Sequence, residues 1–279
     1  EQGGNHYQFY QVDMNAAAFE RLMLESRLRK ALEQGEFQIH YQPLVSLEDG
    51  GIIGVEALLR WSHPDLGLVP PGEFIPLAEE TGLIVPIGEW VLNTACQQVK
   101  RWHRMGFTPL QVAVNLSARQ FQQRNLVDMI AAALESSGLP AESLELELTE
   151  SVIMRDAPDT VRRLREITAL GIKLAIDDFG TGYSSLGYLK AFPIAALKID
   201  RSFIRDIDRD PNSAAIAEAI IAMAGHLRLV TVAEGVETRE QLDRLRGYGC
   251  QQLQGFLFSR PLPADDLAAL LREGRRLQL

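Results

Sequence analysis

The chain has 279 residues, of which 46% are hydrophobic and 23% are charged, so it has enough apolar material for one large buried core and is not disordered. Its 28 lysines and arginines stand against 37 aspartates and glutamates, and this net charge of −9 argues against binding to DNA or RNA polymers. No apolar run approaches the roughly 20 residues of a membrane span, so we expect no membrane contact by this segment. The two cysteines form no CxxC motif, so we expect neither a disulfide framework nor a thiolate zinc site, and a cytoplasmic location fits best.

A helix is predicted first, over residues 15–32, where apolar residues recur at roughly helical spacing and Gly35 ends the pattern. Two interpretations of this helix remain open. Either it connects to an upstream domain, or it packs on the end of the domain that follows.

Eight strand-like segments come after this helix, and helical segments separate most of them. They span residues 37–45, 51–61, 110–116, 144–149, 172–177, 196–199, 229–234 and 250–256. Only the turn-like residues 46–50 join the first two segments. Repeated right-handed crossovers with eight strands predict an α/β fold, a TIM-like (β/α)8 barrel whose first strand is antiparallel. An open doubly wound sheet is the alternative, but no GxGxxG motif opens any of the helices.

Local signals mark the ends of several helices between the strands. Residues 156–171 combine an acidic start, a first-turn proline, an apolar stripe and a terminating glycine. Ser117 with Gln120, and Thr238 with Gln241, have the spacing of capping boxes. These pairs predict that helices begin directly after Ser117 and Thr238.

Polar residues end nearly every predicted strand, at the rim where catalytic groups gather in such a barrel. They are Glu56, Asn115, Glu147, Asp177, Asp178, Lys198, Glu234 and Gln254. A single acidic residue at a strand end is usually solvated or caps a helix, but this many at one rim indicate a shared site. Five carboxylates and one lysine would carry a net charge of about −4, which two divalent cations would cancel.

The donor types at this rim indicate which cations would bind. Carboxylates and an amide offer oxygen ligands, which suit Mg²⁺ or Mn²⁺ rather than zinc. The leucine–glutamate alternation of residues 144–148 places Glu145 and Glu147 on one face, which we expect to point into the barrel. Asp177 and Asp178 would face opposite sides of a regular strand, so we expect this strand to break into the glycine-containing loop 179–185.

Eight ordered blocks of sequence surround these positions. They are Tyr41-Gln42-Pro43, Glu56-Ala57-Leu58-Leu59-Arg60-Trp61, Asn115-Leu116-Ser117, Glu147-Leu148-Thr149-Glu150, Asp177-Asp178-Phe179-Gly180-Thr181-Gly182, Leu197-Lys198-Ile199-Asp200, Ala233-Glu234-Gly235-Val236-Glu237 and Gln254-Gly255. Together they resemble the EAL-domain family of cyclic di-GMP phosphodiesterases, over roughly residues 16–271. A lone Glu-Ala-Leu would mean little, whereas eight blocks in the order and spacing of the family are very specific.

The resemblance implies a barrel that hydrolyses cyclic di-GMP to linear 5′-pGpG with two Mg²⁺ or Mn²⁺ ions. The metal ligands that it implies are Glu56, Asn115, Glu147, Asp177, Asp178 and Glu234. It implies that Lys198 holds the attacking water, that Asp178 and Glu234 join it as candidates for proton handling, and that Glu150 steadies the glycine-containing loop. The substrate contacts that it implies are Gln42, Leu59, Arg60, Asp200, Glu237 and Gln254.

Residues 4–10 resemble the end of a GGDEF domain, so we expect residues 1–14 to be the tail of an upstream GGDEF-type domain or a linker. Residues 15–279 would then form the phosphodiesterase domain, in a parent protein that could be membrane-anchored elsewhere. The resemblance also implies a homodimer. Two other functions stay open: a cyclic di-GMP receptor that does not cleave, which the complete ligand set disfavours, and an unrelated barrel enzyme such as a glycosidase, which would leave Asn115 and Lys198 unused.

Overall fold

A computed structural model describes residues 12–107, 109–154, 157–182 and 186–279. The described residues divide into two compact units, the first lying within Glu1–Gln38 and Arg60–Ile84 and the second within Ile39–Leu59 and Val85–Leu279. The strands of the described residues are β1 (Phe37–Ser46), β2 (Ile52–His63), β3 (Gly67–Val69), β4 (Gln111–Asn115), β5 (Leu144–Thr149), β6 (Lys173–Phe179), β7 (Ala196–Ile199), β8 (Val230–Ala233) and β9 (Gln252–Leu253). The helices are α1 (Val12–Ala31), α2 (Pro71–Thr81), α3 (Ile84–Arg104), α4 (Ala118–Phe121), α5 (Leu126–Ser137), α6 (Glu150–Ile153), α7 (Ala157–Thr168), α8 (Leu186–Leu189), α9 (Arg201–Arg205), α10 (Pro211–Leu227), α11 (Arg239–Tyr248) and α12 (Ala264–Glu273).

The second unit is built on a closed barrel of eight strands. Their order is β1, β9, β8, β7, β6, β5, β4, β2, and the pairing of β1 with β2 closes the ring. β1 is antiparallel to β9, whereas the neighbouring pairs from β2 and β4 through β8 and β9 are parallel. The predicted TIM-like barrel with an antiparallel first strand is therefore confirmed. Because seven strands share one direction, their carboxyl ends meet at one rim.

The register of β5 shows how the sequence selects this barrel. Leu144, Leu146 and Leu148 are almost fully buried, and Glu147 is buried on the opposite face of the strand. Burial of each leucine contributes about 1.5–3 kcal/mol, so a slip by one residue, which would exchange leucines for glutamates, is strongly disfavoured.

Several strands end one or more residues from the predicted position, and the differences in β6 and β9 bear on the site. β6 does not stop at Asp177 but continues to Phe179, and its pairing with β7 shifts register between Ile176 and Phe179. This irregularity is a β-bulge, which re-aims side chains without ending the strand. β9 contains only Gln252–Leu253, so it is shorter than the predicted segment 250–256.

The helices follow the local signals of the sequence. Both capping boxes, Ser117 with Gln120 and Thr238 with Gln241, are present at the starts of α4 and α11. The helix predicted over residues 156–171 corresponds to α7, although residues 155–156 lie outside the described part. Among the described residues, no helix combines the length and the apolar character needed to cross a bilayer.

The first unit contains α1, α2 and the short strand β3. α1 confirms the predicted helix, although it begins at Val12, and α1 contacts α2. β3 pairs antiparallel with the end of β2, with Val69 opposite Trp61, and the sequence pattern did not predict it because three residues show no periodicity. The Trp61 indole donates a hydrogen bond of 2.8 Å to Glu36 and packs edge-on against Phe74, so this unit has its own small aromatic core.

Candidate metal centre

Lys198, on β7, is the centre of a cluster of acidic side chains from different strands of the barrel. Its side chain is 2% exposed. Its Nζ lies 2.6 Å from Glu234 Oε1, 2.8 Å from Glu147 Oε2, 3.3 Å from Asp177 Oδ1 and 3.7 Å from Glu56 Oε2. The acidic residues predicted at separate strand ends therefore do meet at one place.

The charges of this cluster do not balance. Burial by itself disfavours the Lys198 cation, but the four carboxylates outweigh burial and raise the pKa of Lys198 well above its ordinary value. One ammonium therefore faces four carboxyl groups, of which Glu147 holds a proton more tightly than usual because burial raises its pKa well above the ordinary value. Among the described residues, Lys198 Nζ and Glu147 Oε2 also have no well-directed hydrogen bond, despite their 2.8 Å separation. Native proteins rarely leave buried polar atoms in this state, so the cluster fits a further positive ligand.

Glu56 is held by two amides at the mouth of the barrel. Asn115 Nδ2 donates to its Oε1 at 2.7 Å, and Gln254 Nε2 donates to its Oε2 at 2.5 Å. Gln254 Nε2 also donates to Gln42 Oε1 at 2.9 Å, and Gln42 in turn donates to the carbonyl oxygen of Ser259 at 3.1 Å. Burial raises the pKa of Glu56, but the Lys198 ammonium and these hydrogen bonds outweigh burial and lower it.

The bulge in β6 explains how two adjacent aspartates share one site. Asp178 has a φ of 53°, in the left-handed region that few non-glycine residues adopt, and its N–H donates to Asp177 Oδ1 at 3.0 Å. One ligand atom each from Asp177, Asp178 and Glu234 all lie within 4.8 Å of one another. Three carboxylates at this spacing offer the oxygen ligands that hard divalent cations prefer.

Two of these carboxylates hold protons more tightly than usual. Burial, together with the charge of Asp177 and the charge and hydrogen bond of Asp200, raises the pKa of Asp178 to about 6. Burial also raises the pKa of Glu234, to about 8. The negative charges of Asp177 and Glu56 raise this pKa further, and the Lys198 ammonium lowers it only in part. A cation bound by these carboxyl groups would lower both pKa values and so release their protons.

The glycine-containing loop after β6 is tied to the buried residue Glu150. Glu150 Oε2 accepts a hydrogen bond of 3.0 Å from the N–H of Gly180. A Cβ on Gly182 would lie 2.7 Å from Glu150 Oε1, so a larger residue here would displace the Glu150 carboxylate. The Thr181 hydroxyl donates to the carbonyl oxygen of Asp178 at 2.8 Å. The remaining loop residues, 183–185, lie outside the described part.

The other predicted substrate contacts lie on several different elements of the fold. Asp200 touches Asp178 and caps α9 by accepting a hydrogen bond from the N–H of Ser202 at 3.0 Å. Glu237 is exposed just before α11. Leu59 and Arg60 are half-buried on β2 beyond Glu56. The sequence did not predict that Gln42 donates a hydrogen bond to the Ser259 carbonyl oxygen. Every residue has a backbone carbonyl, so residue type gives no indication of such an acceptor.

The fold and this cluster define a barrel protein with an acidic centre suited to divalent cations. The sequence pattern of the EAL domain matches residues 25–261, so the chain belongs to the EAL domain family.

Relatives and solved structures agree with this membership. The chain is 52% identical, over 96% of its length, to the bifunctional diguanylate cyclase/cyclic di-GMP phosphodiesterase MucR of Pseudomonas aeruginosa. It is 47% identical, over 98% of its length, to the cyclic di-GMP phosphodiesterase NbdA of the same organism. The chain spans 39% and 35% of these two relatives, so it corresponds to only part of each. A structure of the PaMucR phosphodiesterase in complex with c-di-GMP superposes with a TM-score of 0.86, covering 88% of this chain and 99% of that one, at 52% identity.

Proposed function

We propose that this chain is a metal-dependent phosphodiesterase that hydrolyses cyclic di-GMP to linear 5′-pGpG. One observation carries the proposal: four carboxyl groups, from β2, β5, β6 and the end of β8, converge on the single ammonium group of Lys198. Cations bound at this centre would supply the positive charge with which an acidic protein can hold an anionic phosphodiester. Membership of the EAL family and the names of the similar proteins support the substrate.

Two cations, Mg²⁺ or Mn²⁺, are proposed to bind here, and the donor set fits them because it consists of oxygens. The proposed ligands are Glu56, Asn115, Glu147, Asp177, Asp178 and Glu234. When bound, such cations polarise the phosphodiester, acidify a water molecule and stabilise the leaving oxygen.

The chain's own residues have three tasks in this proposal. Lys198 stays protonated, so it orients the attacking water and offsets negative charge rather than acting as a base. Asp178 and Glu234 are the proposed candidates for exchanging a proton with that water, since both carboxyl groups lie in the acidic cluster beside Lys198. Water attacks phosphorus in line, the bond to a ribose 3′-oxygen breaks, and that oxygen takes a proton.

Recognition of the nucleotide is assigned to residues around the rim. They are Gln42, Leu59, Arg60, Asp200, Glu237 and Gln254. Arg60 has a planar fork of donors that suits a guanine edge or a phosphate. Glu150 is assigned the role of holding the glycine-containing loop, through its bond to Gly180.

At the level of the parent protein, we also propose an upstream GGDEF-type domain, a homodimer and a cytoplasmic location. Similarity over 39% of a protein named as both diguanylate cyclase and phosphodiesterase supports the first of these. Residues 4–10, which suggested it, lie outside the described residues, and the proposed boundary at residue 15 falls inside α1.

Product analysis tests the proposal directly. Cyclic di-GMP is incubated with the chain and Mn²⁺, with and without EDTA, and the products are separated by chromatography. We expect pGpG only with available metal, and a loss of at least 100-fold in the Glu56→Gln variant against no change in Glu89→Gln, an exposed glutamate of α3. Hydrolysis that persists in EDTA would overturn the metal mechanism, and binding without any pGpG would identify a receptor instead.

A further inference from the structure

Helix α3 carries a buried glycine, Gly88, within its first two turns. Glycine is a poor helix former, and Gly88 is not among the residues with positive φ, so its backbone does not require glycine. A Cβ at this position would lie 1.9 Å from Nε2 and 2.5 Å from Cδ of Gln120. The Gln120 amide therefore occupies the space that a side chain at position 88 would fill.

The amide that fills this space is half of the capping box of α4. Gln120 Oε1 accepts hydrogen bonds from the N–H of Ser117 at 3.2 Å and from its hydroxyl at 2.7 Å, and Ser117 Oγ accepts from the N–H of Gln120 at 3.3 Å. With only four residues, α4 is far too short to be stable by itself. Its position therefore depends on contacts with its surroundings, which include the capping box, the packing of Gln120 against α3 and the hydrogen bonds that Arg163 donates to the carbonyl oxygens of Phe121 and Gln123.

The backbone that enters this capping box comes directly from the metal centre. Asn115, which donates to Glu56 at 2.7 Å, is the last residue of β4. The next residue, Leu116, donates its N–H to the carbonyl oxygen of Glu147 at 2.8 Å. The segment from Asn115 to Ser117 is thus fixed on one side by β5 and on the other by the capping box.

We propose that Gly88 and Gln120 are positioning residues of the metal centre, which fix the Asn115 carboxamide through the Ser117 cap. A methyl group at position 88 collides with the end of the Gln120 side chain. Displacement of that amide disturbs its bonds to Ser117, which loosens the start of α4 and the chain before it. The inference rests on the proposed function in one respect, namely that this centre binds divalent cations.

Binding of Mn²⁺ to the purified, metal-free chain tests this inference without turnover. Electron paramagnetic resonance titration gives the dissociation constant for the wild type and for Gly88→Ala, Gln120→Ala and Ser117→Ala. We expect each variant to bind Mn²⁺ about tenfold more weakly, which is the effect typical of residues that orient metal ligands. We expect the Gly88→Ala/Gln120→Ala double variant to be no weaker than Gln120→Ala alone, because the collision then has no partner.

The control is Gly225→Ala in α10, where a Cβ would meet nothing within 4 Å and Mn²⁺ affinity should stay unchanged. Melting of the metal-free proteins separates positioning from stability, since a purely structural role would lower the melting temperature and leave the Mn²⁺ affinity of the folded protein intact. Should Gly88→Ala fail to fold, Gln120→Ala and Ser117→Ala decide the question. Wild-type affinity in all variants would overturn the inference alone, whereas a wild type that binds no Mn²⁺ would overturn the proposed function.

Discussion

Replacing Lys198 with methionine keeps much of the side-chain volume and removes a positive charge from the middle of four carboxylates. In the metal-free protein, these carboxylates then lose the ammonium group that each of them contacts, although Glu56 keeps its hydrogen bonds from Asn115 and Gln254. We expect the loss of stability to be largest at alkaline pH, because raised pKa values keep protons on Glu147 and Glu234 at lower pH.

The magnitude follows from the burial of the cluster. Removing one partner of a buried ion pair costs about 3–5 kcal/mol, because a desolvated charge remains without compensation. Lys198 is 2% exposed and two of its contacts are shorter than 3 Å, so this range applies to it. In a domain of this size, each kcal/mol changes the melting temperature by about 2–4 °C. The melting temperature should therefore fall by about 6–20 °C.

Thermal melting in EDTA at pH 8 and at pH 5.5 is the assay, with Lys190→Met, an exposed lysine, as the control. At the lower pH the folded protein carries protons on Glu234 and Asp178, whose pKa values are about 8 and about 6, so fewer charges stay uncompensated. The difference between Lys198→Met and the wild type should shrink accordingly.

Two results would refute this reasoning. One is a melting temperature within 2 °C of the wild type at pH 8, where ~6–20 °C is expected. The other is an equally large loss at both pH values, which would mean that packing of the lysine stem, rather than its charge, supports the fold.

Three further predictions concern single groups of the centre. Metal-free wild type should melt at lower temperature as pH rises from about 5 to 8, because folded Glu234 keeps a proton, with its pKa raised to about 8, that the unfolded chain releases; a rising melting temperature would contradict this. Gly182→Ala should lower kcat about tenfold by pushing on Glu150, whereas the control Gly247→Ala, with an open Cβ position, should leave kcat unchanged. Gln254→Ala should lower the urea-measured free energy of unfolding by about 1–3 kcal/mol through its two lost buried hydrogen bonds, and an unchanged value would argue against them.

Much of the barrel could be predicted from the order of residues alone. The alternation in β5, the capping boxes at Ser117 and Thr238, and the short turn between β1 and β2 are local patterns, so they are visible without knowledge of the fold. The convergence of the strand-end acids also follows from the sequence, once a parallel barrel is inferred, because parallel strands bring their carboxyl ends to one rim.

Other features depend on contacts that no local pattern records. The bulge that turns Asp178 toward Asp177 and Glu234 arises from a register shift between β6 and β7, and the sequence alone predicted a strand end there instead. The close fit of Gly88 to Gln120 joins residues from different helices, so a glycine that looks unfavourable in α3 is explained only by what lies against it.

The sequence by itself determined the barrel, the acidic composition of its rim and the family to which the chain belongs, since each depends on residue type and spacing along the chain. Only the tertiary structure decided that Lys198 contacts four carboxylates at once and that Glu56 is held by Asn115 and Gln254. The physical reason is that distances of a few ångströms between side chains far apart in sequence are set by strand register, packing and local backbone irregularities acting together.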